Sequence, residues 1–318
     1  MIMSARVETR TKERFASLPS NLTKQMKNAS VMLSGVGATG PFIASGVILY
    51  VDLQKQNPKQ LEVYVVTAKH SLWVRPGFKD PPSDDPSELA SAFQKAMMIC
   101  YDDNMAFGST PKQKAAISEI VLVDADGAKG WEYDVMILKS VDAKFILFAQ
   151  TNCVYTPPLT AEVKKWLWTR KNYLQRERNS FIQTGFGAIR DTVGKEFLPI
   201  DKEGTSTNKY QTLQYRFTEP IESSILTVFN NLSDDSGYYK LQQVIQIKAD
   251  ANDSTAPGDS GGPLFLLSSD QEGSNLYLIG VTSGADMAIR ERECPKPPSL
   301  RENCVVTSLE ACYAKNIR

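Results

Sequence analysis

The segment APGDSGGPLFLL, residues 256–267, places Ser260 among glycines, beside an aspartate and ahead of an apolar run. A serine in this setting could act as a nucleophile. That chemistry requires a base to accept its proton and a third group to orient the base. The same letters also suit an ordinary turn, because glycine reaches positive φ angles and Asp and Ser bond to nearby backbone. The segment alone therefore leaves its role open.

The chain contains a single histidine, His70, and its position restricts the alternatives. Gly-x-Ser-x-Gly also fits the nucleophile elbow of α/β-hydrolases, whose triad runs in the order Ser, acid, His. No histidine follows Ser260, so a complete triad of that type is excluded. The orders His, Asp, Ser and Asp, His, Ser remain.

Two apolar segments could hold the partners of Ser260. Residues 63–67 are β-branched or aromatic, which predicts a buried strand with His70 just past its end. Asp134 directly precedes the apolar run 135–138. An aspartate that leads into a buried strand needs a donor partner, which the ring N–H of His70 would supply. The alternative is a strand-edge aspartate with a local turn bond.

Three motifs in this order, VVTAKHSL, YDVMILK and GDSGGPLF, resemble the trypsin/chymotrypsin-like serine peptidases. The family pattern is Thr-Ala-x-His, Asp-Ile/Val-x-Leu-Leu and Gly-Asp-Ser-Gly-Gly-Pro. Weaker similarities extend the resemblance over residues 31–318 and lie in GPFIASGVILYV, TGFG, LIGVTSGA and VVTSLEACYAKNI.

The resemblance implies an all-β fold of two six-stranded antiparallel β-barrels with the active site in the cleft between them. We expect an N-terminal arm over 1–30, the first barrel over 31–150, a linker with a basic helix over 151–180, and the second barrel with a C-terminal helix over 181–318.

Helical insertions are predicted at two places. A capping-box pattern that begins at Asp85 predicts a helix over 86–99, with Leu89, Phe93, Ala96 and Met97 on one face. Residues 160–180 combine helical spacing of apolar residues with a basic opposite side. Such a helix could touch nucleic acid or an acidic partner, but a solvated polar face is the interpretation we favour.

The resemblance also implies roles for individual residues. Ser260 would be the nucleophile, His70 the base, and Asp134 the group that orients it. The backbone N–H groups of Gly258 and Ser260 would form the oxyanion hole. Ser283, Gly284 and Ala285 match the segment that pairs with substrate backbone.

In the family that the chain resembles, the residue six positions before the nucleophile lies at the base of the specificity pocket. The resemblance places Ser254 at this position, followed by Thr255. Ala285 and Cys304 would line the pocket wall. These uncharged residues predict an uncharged, modest-sized side chain before the scissile bond. Asp253 or Asp286 could restore a basic preference.

In secreted family members, cleavage frees an apolar N-terminus that pairs with the aspartate before the nucleophile, here Asp259. This chain has no Ile-Val-Gly-Gly start and reads NASVMLSGVG at 28–37. An unpaired buried carboxylate would cost several kcal/mol. We therefore expect Asp259 to find another donor or to stay solvated, or else to await cleavage of the arm. A bound protein activator could also set this loop.

Composition narrows the class of partner. Lys plus Arg equals Asp plus Glu at 36 each, so no net charge favours nucleic acid or a membrane. The N-terminus lacks the apolar region of a secretory signal. Five cysteines form no Cys-x-x-Cys pair, and one histidine argues against zinc, so we expect no metal or cofactor. We expect a cytoplasmic setting with free thiols, although Cys294 and Cys304 could pair in an exported protein.

The sequence therefore predicts a serine endopeptidase that acts on proteins or peptides. Two alternatives remain: a catalytically silent, protease-like binding scaffold, and an esterase or amidase that acts on small acyl substrates. An intact triad favours the endopeptidase.

Overall fold

The computed structural model describes residues 16–37, 40–50, 61–74, 86–122, 134–152, 179–187, 212–218, 220–231, 239–248, 258–270, 273–285 and 303–308. Within these residues the chain is mostly antiparallel β-structure. The helices are α1 (Ser20–Ala29), α2 (Pro86–Ala96) and α3 (Ala143–Asn152), with a 3-10 helix over Lys69–Val74. None of the helices described is long and apolar enough to cross a membrane.

The first sheet contains seven antiparallel strands: β1 (Ser30–Gly37), β2 (Gly40–Tyr50), β3 (Val63–Thr67), β4 (Met97–Tyr101), β5 (Gln113–Ala116), β6 (Glu119–Leu122) and β7 (Met136–Ser140). Their order across the sheet is β5-β4-β1-β2-β3-β7-β6. The second sheet also contains seven strands: β8 (Asn179–Gly185), β9 (Gln214–Thr218), β10 (Pro220–Asn231), β11 (Tyr239–Lys248), β12 (Pro263–Asp270), β13 (Gly273–Ala285) and β14 (Asn303–Ser308). Their order is β10-β11-β14-β13-β12-β8-β9.

Both sheets are curled, as the positions of their edge strands indicate. In each sheet the two edge strands, β5 and β6 or β9 and β10, follow each other directly in the chain. Only residues 117–118 separate β5 from β6, and only residue 219 separates β9 from β10. A chain advances by at most about 3.6 Å per residue, so such short links bring the two edges of each sheet together. Each sheet is therefore curled, and this arrangement is consistent with the two barrels predicted from the sequence.

Two of the hydrophobic clusters explain how the sheets are arranged. One fills the first barrel and includes Leu33, Val65 and Phe93. The other combines residues of both sheets, such as Val66 of β3 and Phe265 of β12, and includes the buried face of α1. This shared cluster packs strands from the two barrels against each other, and thereby fixes the loops that follow β3 and precede β12.

The helix predicted over 86–99 ends earlier than expected. Leu89 and Phe93 are fully buried, as the predicted face requires. However, α2 ends at Ala96, and Met97 begins β4, which pairs with β1 from Gly35 to Met32. Helical spacing continues through Met97, but backbone pairing with β1 prevails over it.

Two further helices lie outside the two predicted insertions. The arm over 1–30 forms α1 in its last part, with Leu22 and Met26 buried. Helix α3 was not predicted; the carboxylate of Asp142 caps its start by accepting N–H bonds from Lys144 at 3.0 Å and Phe145 at 2.9 Å. The predicted helix over 160–180 lies outside the described residues, apart from 179–180, which begin β8. The predicted C-terminal helix also lies outside them.

Candidate active site

Ser260 lies in a tight loop directly before β12. The N–H of Gly262 donates to the carbonyl of Asp259 at 2.8 Å, which closes a turn around the serine. Gly258 and Gly261 adopt φ angles of 99° and 80°, a region that side chains with a Cβ rarely occupy. The glycines of the motif therefore set the path of the loop that carries Ser260.

Close approach gives Gly261 a second reason to be glycine. A Cβ at this position would lie 2.1 Å from the hydroxyl oxygen of Thr67 and 2.2 Å from the carbonyl oxygen of Ser45. A Cβ at Gly262 would lie 2.3 Å from the carbonyl oxygen of Thr184. The loop is therefore inserted between strands of the two barrels.

His70 lies in the 3-10 helix that starts two residues after β3. The turn begins with a bond from the N–H of Ser71 to the carbonyl of Ala68 at 3.2 Å. The His70 side chain is about 20% exposed, whereas the Asp134 side chain is about 3% exposed. The ring therefore connects a buried carboxylate to an accessible edge of the site.

The structure brings His70, Asp134 and Ser260 into one line of hydrogen bonds. Nδ1 of His70 lies 2.7 Å from Oδ2 of Asp134, and Nε2 lies 2.7 Å from Oγ of Ser260. The backbone N–H of His70 donates to Oδ1 of Asp134, also at 2.7 Å. With Nδ1 protonated, Nε2 presents its lone pair to the serine hydroxyl. This arrangement can accept a proton from Ser260.

Ser283 adds a contact to Asp134 that sequence reasoning did not find. Its hydroxyl donates to Oδ2 of Asp134, and both residues are buried. The pairing of β13 with β14 shifts register between Thr282 and Gly284, so Ser283 is the extra residue of a β-bulge. Bulges redirect side chains, and this one directs the hydroxyl toward the carboxylate. The position of a bulge depends on the partner strand, so the sequence offers no signal for it.

The environment of His70 changes its basicity. Burial by itself lowers the pKa of His70, but the negative charge of Asp134 and the hydrogen bond to it raise it. The net effect places the pKa of His70 above its ordinary value of 6.5. The ring is therefore a stronger base than a free imidazole.

The carboxylate of Asp259 accepts a hydrogen bond from the turn that follows β8. Its Oδ1 lies 2.8 Å from the backbone nitrogen of Gly187. Cβ atoms at Gly185 and Gly187 would lie 2.2 Å and 2.5 Å from the carboxylate. Glycines at 185 and 187 therefore allow the carboxylate to reach that N–H. A backbone donor here agrees with the expectation that Asp259 finds a partner other than a freed N-terminus.

A buried polar chain behind the loop was also missed by sequence reasoning. Arg216 donates through Nε to Gln183, and Gln183 donates to the hydroxyl of Thr282. The Thr282 hydroxyl donates in turn to the carbonyl of Gly262 at 2.9 Å. These contacts support the loop after Ser260 from the interior of the second barrel.

The structure places the remaining predicted residues only in part. Ser254 and Thr255 lie outside the described residues. Gly284 and Ala285 end β13, and the backbone of Ala285 is paired with Cys304 of β14. The two predicted wall residues are therefore neighbours in the second sheet.

Among the residues that the structure describes, no group of three or more His, Cys, Asp or Glu could hold a metal ion.

Comparison with known proteins gives a match in the second half of the chain. Residues 202–296, which include Ser260, match the family model named Trypsin. The predicted resemblance to trypsin-like serine peptidases is confirmed. Together with the two curled antiparallel sheets, the match assigns this chain the fold of trypsin-like serine proteases. No curated protein matches the chain.

Solved structures similar to this chain include a serine protease, a collagenase and an inactivated protease paralogue. A thermostable serine protease, AL20, from an extremophilic microorganism is 13% identical, with a TM-score of 0.45 over 89% of this chain and 91% of that chain. HL collagenase is 14% identical, with a TM-score of 0.44 over 90% of each chain. The scabies mite inactivated protease paralogue S-I1 is 13% identical, with a TM-score of 0.45 over 92% of this chain and 93% of that chain.

Proposed function

We propose that this chain is a serine endopeptidase that cleaves peptide bonds through an acyl-enzyme. The observation that carries the proposal is the line of hydrogen bonds from Asp134 through His70 to Ser260, with 2.7 Å on each side of the imidazole. A serine, a base and an orienting carboxylate in this order are the parts required for nucleophilic acyl transfer.

In the first half-reaction, Oγ of Ser260 attacks the carbonyl carbon of the scissile bond, and its proton passes to Nε2 of His70. The resulting imidazolium is stabilised by Asp134, which stays ionised. His70 then gives the proton to the leaving amine, and the C–N bond breaks. In the second half-reaction, His70 takes a proton from water, whose oxygen attacks the ester carbon. The bond from that carbon to Oγ of Ser260 then breaks, His70 returns the proton to Oγ, and the acid is released.

The oxyanion of each tetrahedral intermediate would be held by the N–H groups of Gly258 and Ser260. One geometric observation supports this role. The Asp259 carbonyl points to the N–H of Gly262, and in a planar trans peptide the following N–H points the opposite way. The N–H of Ser260 is therefore directed away from the turn. The loss of one such donor raises the barrier by about 2.7–4 kcal/mol.

The proposed substrate is a protein or peptide with an uncharged, modest-sized residue before the scissile bond, as Ser254 and Thr255 suggest. The end of β13 would add the substrate as a strand through Gly284 and Ala285. The nearby Ser283 hydroxyl is engaged with Asp134, so we assign Ser283 to support of the carboxylate and leave strand pairing to its backbone.

The test is labelling of the purified protein with a fluorophosphonate probe, followed by assay of peptide cleavage. We expect labelling of the wild-type protein and none of Ser260→Ala, with His70→Ala strongly reduced. Cleavage of small esters without cleavage of any peptide would favour the esterase alternative. A folded wild-type protein that neither labels nor cleaves would favour the binding scaffold.

A further inference from the structure

Ser45 of β2 is a fully buried serine whose hydroxyl connects the two barrels. Its Oγ donates to the carbonyl of Gly258 at 2.7 Å and accepts from the backbone N–H of Phe186 at 2.9 Å. A hydroxyl can make both bonds at once, because it has one donor and two acceptor positions. Ser45 thus links the loop before the nucleophile to the turn that follows β8.

The backbone of the same residue holds the loop a second time. The N–H of Ser45 donates to the carbonyl of Ser260 at 2.8 Å, and its own carbonyl accepts from the hydroxyl of Thr67 at 2.7 Å. Ser45 therefore donates hydrogen bonds to the carbonyl groups of Gly258 and Ser260, the two residues that flank Asp259. Asp259 itself bonds to Gly187 of the turn that the Ser45 hydroxyl also contacts.

These contacts act on the residue whose N–H is a proposed oxyanion donor. Gly258 has a φ of 99°, and glycine crosses such regions at little steric cost. A loop with this freedom needs external contacts to keep one conformation. The bond from the Ser45 hydroxyl fixes the peptide that joins Gly258 to Asp259, and so limits rotation at Gly258.

We infer that Ser45 is a positioning residue of the oxyanion loop, and that its hydroxyl holds Gly258 in the conformation that catalysis uses. This inference rests on the proposed function. The side chain does not touch substrate or the reacting atoms; it acts through the Gly258 carbonyl and the Phe186 N–H.

Kinetics of Ser45→Ala provide the first test. We expect kcat to fall about 10- to 100-fold, a loss smaller than that of removing a whole oxyanion donor, while KM stays within about twofold. The affinity for a peptide aldehyde, which forms a tetrahedral adduct, should fall in parallel with kcat. Ser45→Thr, which keeps the hydroxyl, should recover most of the loss. A kcat within about twofold of the wild type in Ser45→Ala would overturn the inference.

A matched control is Ser140→Ala. Ser140 ends β7 and is fully buried, like Ser45, and its Oγ accepts a bond from the backbone N–H of Asp142 at 3.3 Å. Removal of such a hydroxyl costs about 0.5–1.5 kcal/mol of stability, and its bond lies outside the loop 258–262. We expect kcat and the aldehyde affinity of Ser140→Ala to remain near the wild-type values, so a loss specific to Ser45→Ala reports its two bonds.

Hydrogen–deuterium exchange of the unliganded protein tests the inference without catalysis. In Ser45→Ala we expect the peptide that spans 258–262 to exchange about tenfold faster, as expected for a lost hydrogen bond, with β7 unchanged. Equal exchange in the two proteins would overturn the inference even if the wild type is active. If the wild type cleaves nothing and yet shows this difference, the proposed function fails while the role of Ser45 in holding the loop stands.

Discussion

Replacement of Asp134 by asparagine tests the site most directly, because the side-chain volume stays while the negative charge and the hydrogen-bonding pattern change. Asp134 accepts from the backbone N–H of His70, from Nδ1 of the same ring, and from the hydroxyl of Ser283. An asparagine can keep its oxygen toward only one of the two His70 donors. If the oxygen stays on the backbone N–H, the amide donates to Nδ1.

That arrangement places the imidazole proton on Nε2, where it faces Ser260 and leaves no lone pair to accept the serine proton. The opposite orientation sets an amide N–H against the backbone N–H of His70, and two donors repel. In related triads the same change lowers kcat by about 10⁴, which is about 5.5 kcal/mol. We expect a loss of this size in kcat for Asp134→Asn.

The pH dependence provides a second, independent readout. Only the neutral ring of His70 accepts a proton, so activity should rise with pH through the pKa of His70. Asp134 raises that pKa above 6.5, so the midpoint of the acidic limb in the wild type should lie above pH 6.5. In Asp134→Asn the charge is gone while burial, which lowers the pKa, remains. The acidic limb of its residual activity should shift to lower pH.

The contribution of His70 to the free energy of unfolding depends on pH in the direction opposite to activity, because it falls as pH rises. A raised pKa means that folded protein binds the His70 proton more tightly than unfolded protein. The stabilisation is full at pH values below the unfolded pKa and is lost as pH rises through the folded pKa. The free energy of unfolding of Asp134→Asn should therefore lack this pH dependence.

The assay is kcat/KM on a peptide substrate across pH, with denaturant unfolding at each pH. Asp142→Asn is the matched control, since Asp142 caps α3 and asparagine caps helices equally well. Its activity and acidic limb should equal those of the wild type. Retention of more than about a tenth of wild-type kcat/KM by Asp134→Asn, or an unmoved acidic limb, would refute the reasoning.

Four further predictions concern the loop that carries Ser260, the N-terminal helix α1 and the specificity pocket. Gly261→Ala should cost at least about 2 kcal/mol more in the free energy of unfolding than Gly108→Ala. The two glycines have nearly equal φ angles, 80° at Gly261 and 78° at Gly108. A Cβ at Gly108, however, would have no atom within 4 Å. Equal denaturation midpoints would contradict this. Met26→Ala should cost about 2–5 kcal/mol, because Met26 is fully buried. A chain that begins at Val31 should be destabilised and should not be more active than the full chain. Greater activity of the shortened chain would support activation by cleavage of the N-terminal arm. A peptide-library profile should favour uncharged, modest-sized residues before the scissile bond, and dominance of Arg or Lys would show that the pocket is acidic.

The residues that could form the site were recognisable from the amino-acid sequence. One histidine, one GDSGG segment and two apolar strands flanked by His70 and Asp134 left few alternatives. These signals are local, because strand propensity, turn chemistry and chain order are properties of neighbouring residues. The resemblance to the trypsin-like peptidases rested on the same segments, and the fold agrees with it.

The contacts that support the site became visible only in the folded chain. The bond from Ser45 to Gly258 spans 213 positions, and the bond from Ser283 to Asp134 spans 149. Neither partner can be identified from its own neighbours, because strand register and the bulge at Ser283 depend on pairing with distant strands. The same non-local pairing ended α2 at Ala96. Propensity and periodicity describe a segment alone, whereas contacts between strands from opposite ends of the chain determine where its side chains point.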